Sequence, residues 1–376
     1  MEKITYVTYP RRAESDRAVK DRSVLLIDNE VAQQLLTVDD CLEVIEAAYR
    51  EFGLQRASAS RASYHVPRPP NGWYRWAPMA SAITKLGVLA VRIKSDVIVE
   101  EKQRSEFYCV APGKYCGLIL LFSAIDGAPL AILHDGHIQH MRVGATGGLS
   151  VKHMARRDAS TLGLLGSAGM ATTHAWAIAK VRPIKRIKMF SPNPEHRKAF
   201  ARQMSDDMGI PVVAVDDPQE IVEGADILAS CTNSQSAVIK GEWLKPGVHV
   251  LSVSPQEPDD EVFRRCNRYV YSRTPSTEVF VAAPPEEQPP RMEGYIGTKW
   301  LAREGRLMAK EKITPLSDVV LGKAVGRAND DEITCFVSQG NPIQFTASAY
   351  RVYQLAKERG LGRKLPLEWF LQDIKD

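Results

Sequence analysis

No run of about 18 apolar residues occurs in the chain, so no membrane-spanning helix is expected. No block of lysine and arginine with interleaved aromatics occurs either. The formal charge of +4 over 376 residues is too small to imply nucleic acid and points only weakly to small anions. No H-E-x-x-H pattern is present. None of the six cysteines (Cys41, Cys109, Cys116, Cys231, Cys266 and Cys335) forms a C-x-x-C pair. Scattered through apolar or mixed segments, they read as buried free thiols in a reducing compartment. The opening stretch MEKITYVTYPRRAESDRAVKDRS has no apolar core of the secretory kind. A cytoplasmic location is the expectation.

What is present is ample: 44% hydrophobic and 25% charged residues are ordinary for a globular protein, and the length allows two cores. Residues 1–22 read as a loosely packed arm. SVLLID reads as a strand. Thr37 followed by Asp40 reads as a capped helix start, with Val38, Leu42, Ile45, Ala48, Tyr49 and Phe52 on one face. RASYHVPRPPNGWYRW reads as a loop or hairpin, with NG as its turn. LGVLAVRIKSD reads as a strand, and GLILLFSAIDGAPLAILHDG as two strands joined at DG. A helix follows through HIQHMRVGATGGLSVKHMA.

From residue 160 strands and helices alternate. TLGLLG, IKRIKMFS, IPVVAV, DILASCT, GVHVLSVS and RYVYSR read as strands. MATTHAWAIAKV, NPEHRKAFARQMSDDMG and DPQEIVEGA read as helices. Apolar strands in β-α-β order predict a Rossmann-type, doubly wound parallel sheet. The last long helix, IQFTASAYRVYQLAKERG, turns Ala349, Val352, Tyr353 and Ala356 to one side and suits packing on the first part. The expected architecture is therefore α/β, with a dinucleotide domain (136–319) inserted into an α+β substrate and dimerisation domain (23–135 plus 320–376). A Pro-rich stretch at 281–312 reads as an exposed insertion.

The segment GSAGMA, Gly166 to Ala171, nearly fits G-x-G-x-x-A but carries Ala168 where the middle glycine belongs. Backbone N–H groups at a helix start receive a pyrophosphate, and glycine keeps the approach open. Ala168 adds one methyl group, too little to close the site. The expected cradle is Gly166, Ser167, Ala168, Gly169, Met170 and Ala171. The next strand ends at Ser191, 25 residues past Gly166, with no carboxylate to hold two ribose hydroxyls. Ser191, Asn193 and Arg197, with His196 and Lys198 nearby, predict NADP(H) preference, with NAD(H) possible. The plainer reading makes Arg197 and Lys198 the solvated face of a helix.

His134, His137 and His140 form H-x-x-H-x-x-H. The i, i+3 spacing puts neighbours on one helix face, as a zinc-dependent hydrolase would need, but three imidazoles strung over two turns rarely converge on one ion and no acidic ligand stands nearby, so capping and interface roles are expected and no metal. Trp73, Tyr74 and Trp76 either wall a substrate pocket or pack a hairpin or dimer seam.

The run from GLILLFSAIDG through GSAGMA resembles the core of the ornithine cyclodeaminase/mu-crystallin family, whose members include cyclodeaminases, alanine dehydrogenases and ketimine or imine reductases. GEWLKPGVHVLSVS, LGKAVGRANDDEITCFVSQG and the last helix resemble later blocks of that family, so the likeness spans about residues 23–366. It implies an NAD(P)-dependent enzyme, a homodimer, and these site residues: Arg61 and Arg142 on the substrate carboxylate, Thr232 and Asn233 under the nicotinamide ribose, and Ser252 and Val253 facing the nicotinamide. The family's substrate-site lysine falls 13 residues after Met79, on Arg92.

Two departures bear on activity. Arginine stays charged, so Arg92 grips a carboxylate but exchanges no proton at neutral pH. The aspartate that follows HVLSVS in cyclodeaminases is missing from SPQEPDDEVF: Gln256 stands nearest its place, and Asp259 or Asp260 opens the next helix. Both count against ornithine cyclodeamination. The expected function is NADPH-dependent reduction of an α-imino acid, or reductive amination of a 2-oxo acid. Lys94, His65, Tyr74 or water supplies any proton needed. The alternatives are an NAD-dependent ornithine cyclodeaminase and a non-enzymatic, crystallin-like NADPH binder.

Overall fold

A computed structural model describes residues 19–20, 22–101, 104–272, 278–282 and 299–372. The expected arm over 1–22 lies almost wholly outside the described residues, as does 283–298 of the Pro-rich stretch.

In chain order the first elements are β1 (Ser23–Ile27), α1 (Asn29–Leu35), α2 (Val38–Gly53), β2 (Ala57–Pro67), β3 (Gly72–Ile83), β4 (Val88–Glu101), β5 (Arg104–Tyr108), β6 (Cys116–Ser123), β7 (Pro129–His134) and α3 (Gly136–Met154). Then come β8 (Thr161–Leu165), α4 (Gly169–Val181), β9 (Arg186–Phe190), α5 (Pro194–Met208), β10 (Val212–Ala214), β11 (Ile227–Ser230), β12 (His249–Ser252), α6 (Asp260–Arg265), β13 (Arg268–Tyr271) and β14 (Glu278–Val281). The last are α7 (Lys299–Leu307), β15 (Ile313–Pro315), α8 (Leu316–Val320), β16 (Thr334–Val337), α9 (Pro342–Arg359) and β17 (Arg363–Pro366).

Among the described residues one sheet has nine strands, in the order β14-β2-β3-β4-β6-β7-β1-β17 with β5 beside β4. Its centre is antiparallel, and its strands alternate between faces. Helices α2 and α9 pack on the inner face. Helix α2 starts as expected: Thr37 Oγ1 accepts from the Asp40 N–H, and Asp40 accepts from the Thr37 N–H. On the outer face Tyr64, Val66, Leu89 and Leu118 stay exposed.

The second sheet is wholly parallel, in the order β10-β9-β8-β11-β12-β16-β13-β15. Every residue of β11, β12 and β16 is buried, which explains their unbroken apolar runs. Strand order reverses between β8 and β11, so this is a Rossmann-type sheet with its crevice at the N-terminus of α4.

Two strands cross the boundaries expected from sequence. Thr334–Val337, expected in the first domain, lies between β12 and β13, because its apolar run suits a strand covered on both faces. Glu278–Val281, expected in the nucleotide domain, pairs in parallel with β2 and stacks Phe280 on Tyr64. The expected insertion is not wholly exposed either, since Met308 joins the second core. DPQEIVEGA makes only a 3-10 turn, Pro218–Ile221. Cys109 and Cys116, expected to be buried, are partly exposed beside the 110–115 turn, whereas the other four cysteines are buried.

Candidate functional site

The chain leaves β8 through Gly166, whose φ of +115° is open to glycine and not to alanine. A Cβ there would stand 2.5 Å from the Cys231 carbonyl oxygen. Ala168 is extended (φ −127°, ψ −178°), a conformation any residue adopts. The missing middle glycine therefore costs the turn nothing. No side chain caps α4, so the N–H groups of its first turn remain available to an anion. They border a cleft of about 830 Å³ lined by Gly166 to Met170, Ser191, Thr232 and Asn233. A backbone cradle that a methyl group would fill, at an uncapped helix start, fits a dinucleotide pyrophosphate.

Five of the expected cofactor residues do not line this cleft, Val253 among them because it faces the second cavity described below. Ala171 is buried in the first turn of α4. Asn193 caps α5, accepting from the N–H groups of Glu195 and His196 at 3.0 Å. Arg197 is buried, donates to the Ser191 carbonyl at 2.9 Å and is ion-paired with Asp216. Ser252 is buried and donates to Glu257 at 2.9 Å.

Glu257 is the residue that sequence reasoning passed over. Fully buried, its carboxylate accepts from Thr232 N at 2.8 Å, Thr232 Oγ1 at 2.7 Å, Ser252 Oγ at 2.9 Å and Ser254 N at 2.9 Å. It ties together the ends of β11 and β12. Its only trace in the sequence is a glutamate in the turn after an apolar strand.

A second cavity, of about 420 Å³, lies between the inner face of the first sheet and the ends of β12 and β16. Met170 lines both spaces, and Val253 lines this one. Arg61, Arg92, Lys94 and Arg142, all singled out from sequence, converge here, joined by Arg75 and Gln139. Among the described residues, no aspartate or glutamate lines it.

The cations differ in their partners. Arg92 is buried and bonded to Asp135 through Nε at 2.8 Å and Nη2 at 2.5 Å. Arg142 is buried and donates to the neutral amide oxygens of Gln344 (2.6 Å) and Gln139 (2.8 Å). Both guanidinium groups lie over the Phe345 ring, at 4.9 and 4.2 Å. Burial, then neighbouring Arg92, pushes Arg142 down to about 9, which leaves it charged at neutral pH. Arg61 donates to the carbonyls of Gln339 (2.9 Å) and Gly340 (3.2 Å). Gly340 has φ +72°, and a Cβ on it would stand 2.7 Å from Arg142 Nη1. Arg75 and Lys94 share the fully buried Asp96, at 2.6 and 3.4 Å. Burial lowers the Lys94 pKa, and Asp96 opposes that shift.

The other proton-donor candidates stand apart. His65 bonds Ser63 Oγ at 2.8 Å and is pushed down to about 4, by burial first and Arg75 second. The Tyr74 hydroxyl meets Ser95 at 3.2 Å. Neither residue lines the cavity. Trp73, Tyr74 and Trp76 do not line it either. Trp73 packs edge-on to His65, and Trp76 against Tyr64. The three histidines go separate ways. His134 accepts from the Gly136 N–H, His137 bonds the Leu36 carbonyl, and His140 packs where a Gly169 side chain would go. Among the described residues no cluster of three metal-ligating side chains occurs, and no helix is long and apolar enough to cross a membrane. Asp259 caps α6, Asp260 pairs with Arg303, and Gln256 bonds the Ser234 carbonyl.

The family model for ornithine cyclodeaminase and mu-crystallin matches residues 22–360. The chain belongs to the ornithine cyclodeaminase/mu-crystallin family. It is 28% identical to a Δ1-pyrroline-2-carboxylate reductase of Bacillus cereus, over 91% of this chain and 99% of that protein. It is 24% identical to the alanine dehydrogenase of Archaeoglobus fulgidus, over 91% of this chain and 98% of that one. The structure of Thermococcus litoralis Δ1-pyrroline-2-carboxylate reductase with NADH and L-proline superposes with a TM-score of 0.75 at 27% identity. It covers 91% of this chain and 100% of that one.

Proposed function

We propose that this chain is an NADPH-dependent reductase of α-imino acids, which also serves reductive amination where ammonia and a 2-oxo acid form the same imine. It is an NAD(P)-linked oxidoreductase acting on C=N bonds, in keeping with its relatives. The observation that carries the reading is a cavity lined, among the described residues, by five cationic side chains and no carboxylate, meeting the dinucleotide cleft at Met170.

Arg61 and Arg142 hold the substrate carboxylate, a charge-assisted contact that guanidinium geometry favours. Arg92, fixed by Asp135, shapes the wall beside it. Val253 and Met170 set the side on which a bound nicotinamide supplies hydride. Thr232 and Asn233 receive its ribose, and Gly166 to Met170 its pyrophosphate. Ser252 acts through Glu257, which braces both strand ends. The surrounding cations favour the reduction, because hydride transfer removes the positive charge of an iminium carbon. Lys94 is the lining group that can give a proton to an uncharged imine.

NADP(H) is favoured because Ser191, directly after β9, stands where a carboxylate would hold the ribose hydroxyls, while His196 and Lys198 are exposed nearby. Arg197 acts indirectly, by fixing the Ser191 carbonyl. The exposed outer face of the first sheet suits pairing with a second copy of the chain.

The test is consumption of reduced nicotinamide with cyclic imino acids, and with 2-oxo acids plus ammonia. Turnover with NADPH is expected. Clean conversion of ornithine to proline and ammonia with catalytic NAD would overturn the reading, as would NADPH binding with no turnover of any imino acid. A tenfold preference for NADH would overturn the cofactor assignment, and a monomer in light scattering the pairing.

A further inference from the structure

The inner face of the first sheet carries its charges in rows. Register sets Arg61, Met79 and Arg92 abreast, then Ala77 beside Lys94, then His65, Arg75 and Asp96. Successive rows on one face lie about 7 Å apart along the strands. The cations therefore form a band, with Arg61, Arg92 and Arg142 at one end and Lys94 and Arg75 at the other.

The counter-charges do not match this band. Asp135 neutralises Arg92. Asp96 is shared between Arg75 and Lys94, so one carboxylate serves two cations. Arg142 has neutral hydrogen-bond partners. Among the described residues, one carboxylate thus stands against two cations at the far end, an excess of one positive charge there. A monocarboxylate answers Arg142, and an iminium nitrogen adds a positive charge back. The far end keeps its excess, next to Ala77, whose small side chain leaves room there. Concentrated like charge in a low-dielectric cavity is costly unless an anion joins it.

We infer that the substrate is a dicarboxylic α-imino acid, or its 2-oxo precursor, whose second carboxylate is received by Lys94 and Arg75. The row spacing of about 7 Å matches a five- or six-carbon diacid. This rests on the reductase reading for its chemistry, but its charge argument concerns binding alone. Lys94 and Arg75 thereby determine specificity, while Arg61 and Arg142 hold the carboxylate next to the reacting carbon.

Two measurements test it. In steady-state kinetics, a cyclic imino acid with a second ring carboxylate is expected to exceed the same ring with one carboxylate by at least tenfold in kcat/KM. Lys94→Met is expected to lower that ratio at least tenfold, through KM of the diacid, and Lys94→Arg to restore it. A native enzyme that prefers the monoacid, or a ratio unmoved by Lys94→Met, overturns the inference. Independently of turnover, 2-oxoglutarate is expected to bind the protein–NADPH complex at least tenfold tighter than 2-oxopentanoate in a fluorescence titration. Equal binding overturns the inference. Tight diacid binding with no reduction of any imino acid upholds the inference and removes the reductase reading alone.

Discussion

Gly166→Ala probes the turn on which cofactor binding is built. At φ +115° an alanine carries about 1–3 kcal/mol of backbone strain. Its Cβ also meets the Cys231 carbonyl oxygen at 2.5 Å, and a backbone atom cannot rotate aside. Relief requires the turn to move away from the end of β11, taking the N–H cradle with it. If that strain must be restored on binding, Kd for NADPH rises by about 5- to 150-fold. The assay is fluorescence titration, with Gly209→Ala as the control. Gly209 also has positive φ (+63°), at the C-terminal cap of α5, with nothing within 4 Å of an added Cβ. Both variants lose stability, and only Gly166→Ala loses affinity. A folded Gly166→Ala protein within twofold of the native Kd, or equal losses in both variants, would refute the pyrophosphate assignment. Ala168→Gly is expected to change Kd less than about threefold, because Ala168 is already unstrained.

Arg142→Met is expected to raise substrate KM about 10- to 150-fold, from the loss of about 1.5–3 kcal/mol of charged hydrogen bonding, with Kd for NADPH unchanged. A matching loss of cofactor affinity would show that Arg142 serves the fold instead. Glu257→Gln turns an amide N–H₂ toward donors that now find an acceptor. It is expected to lower Tm and raise KM for the cofactor, and wild-type values for both would count against the brace. His65 and His174 are both pushed down to about 4, chiefly by burial. Unfolded, each takes up a proton near pH 6.5 that the folded form refuses, so their contribution is full above pH 6.5 and shrinks as pH falls toward 4. Melts of native protein and His174→Gln between pH 7 and 4 check this. The native Tm should fall more steeply with acid than the variant's, and parallel curves would sink the assignment.

How far the sequence revealed this molecule depended on whether the signal was local. The capping box at Thr37, the apolar run before Gly166, the NG turn of the β2–β3 hairpin and the apolar stretch of β4 are written in neighbouring residues. Those elements appear where the pattern places them. Arg61, Arg92, Lys94 and Arg142 come from three elements, and it was family likeness, not spacing, that marked them as one group. Pairings between distant segments were less legible. Val337 and Glu278 each sit in a strand whose sheet is chosen by a long-range partner. The sequence shows that Arg197 is a cation, but not that Asp216, 19 residues on, would occupy it. Arg75 lies near Arg92 and Lys94 by the family likeness, but only the pleat reveals that it shares a face with Lys94 and Asp96.

Arg92, where the family resemblance implies a lysine, also bears on the protons the reaction needs. A guanidinium bonded twice to Asp135 neither takes nor gives a proton at neutral pH, so no base stands at that position. Oxidising an amine requires that its nitrogen shed a proton before hydride can leave the α-carbon. Reducing an imine that enters already protonated asks for no proton at all in the hydride step. A cavity whose five cations disfavour further positive charge raises a bound iminium toward the transition state, in which that charge is being lost. The overall equilibrium fixes the ratio of kcat/KM in the two directions, so the protonation requirement shows in the pH profile instead. On the proposed chemistry, kcat/KM for amine oxidation rises with pH above 7 as the amine sheds its proton, and a flat profile would refute this. Lys94, with its pKa lowered by burial, is the lining group able to take up that proton.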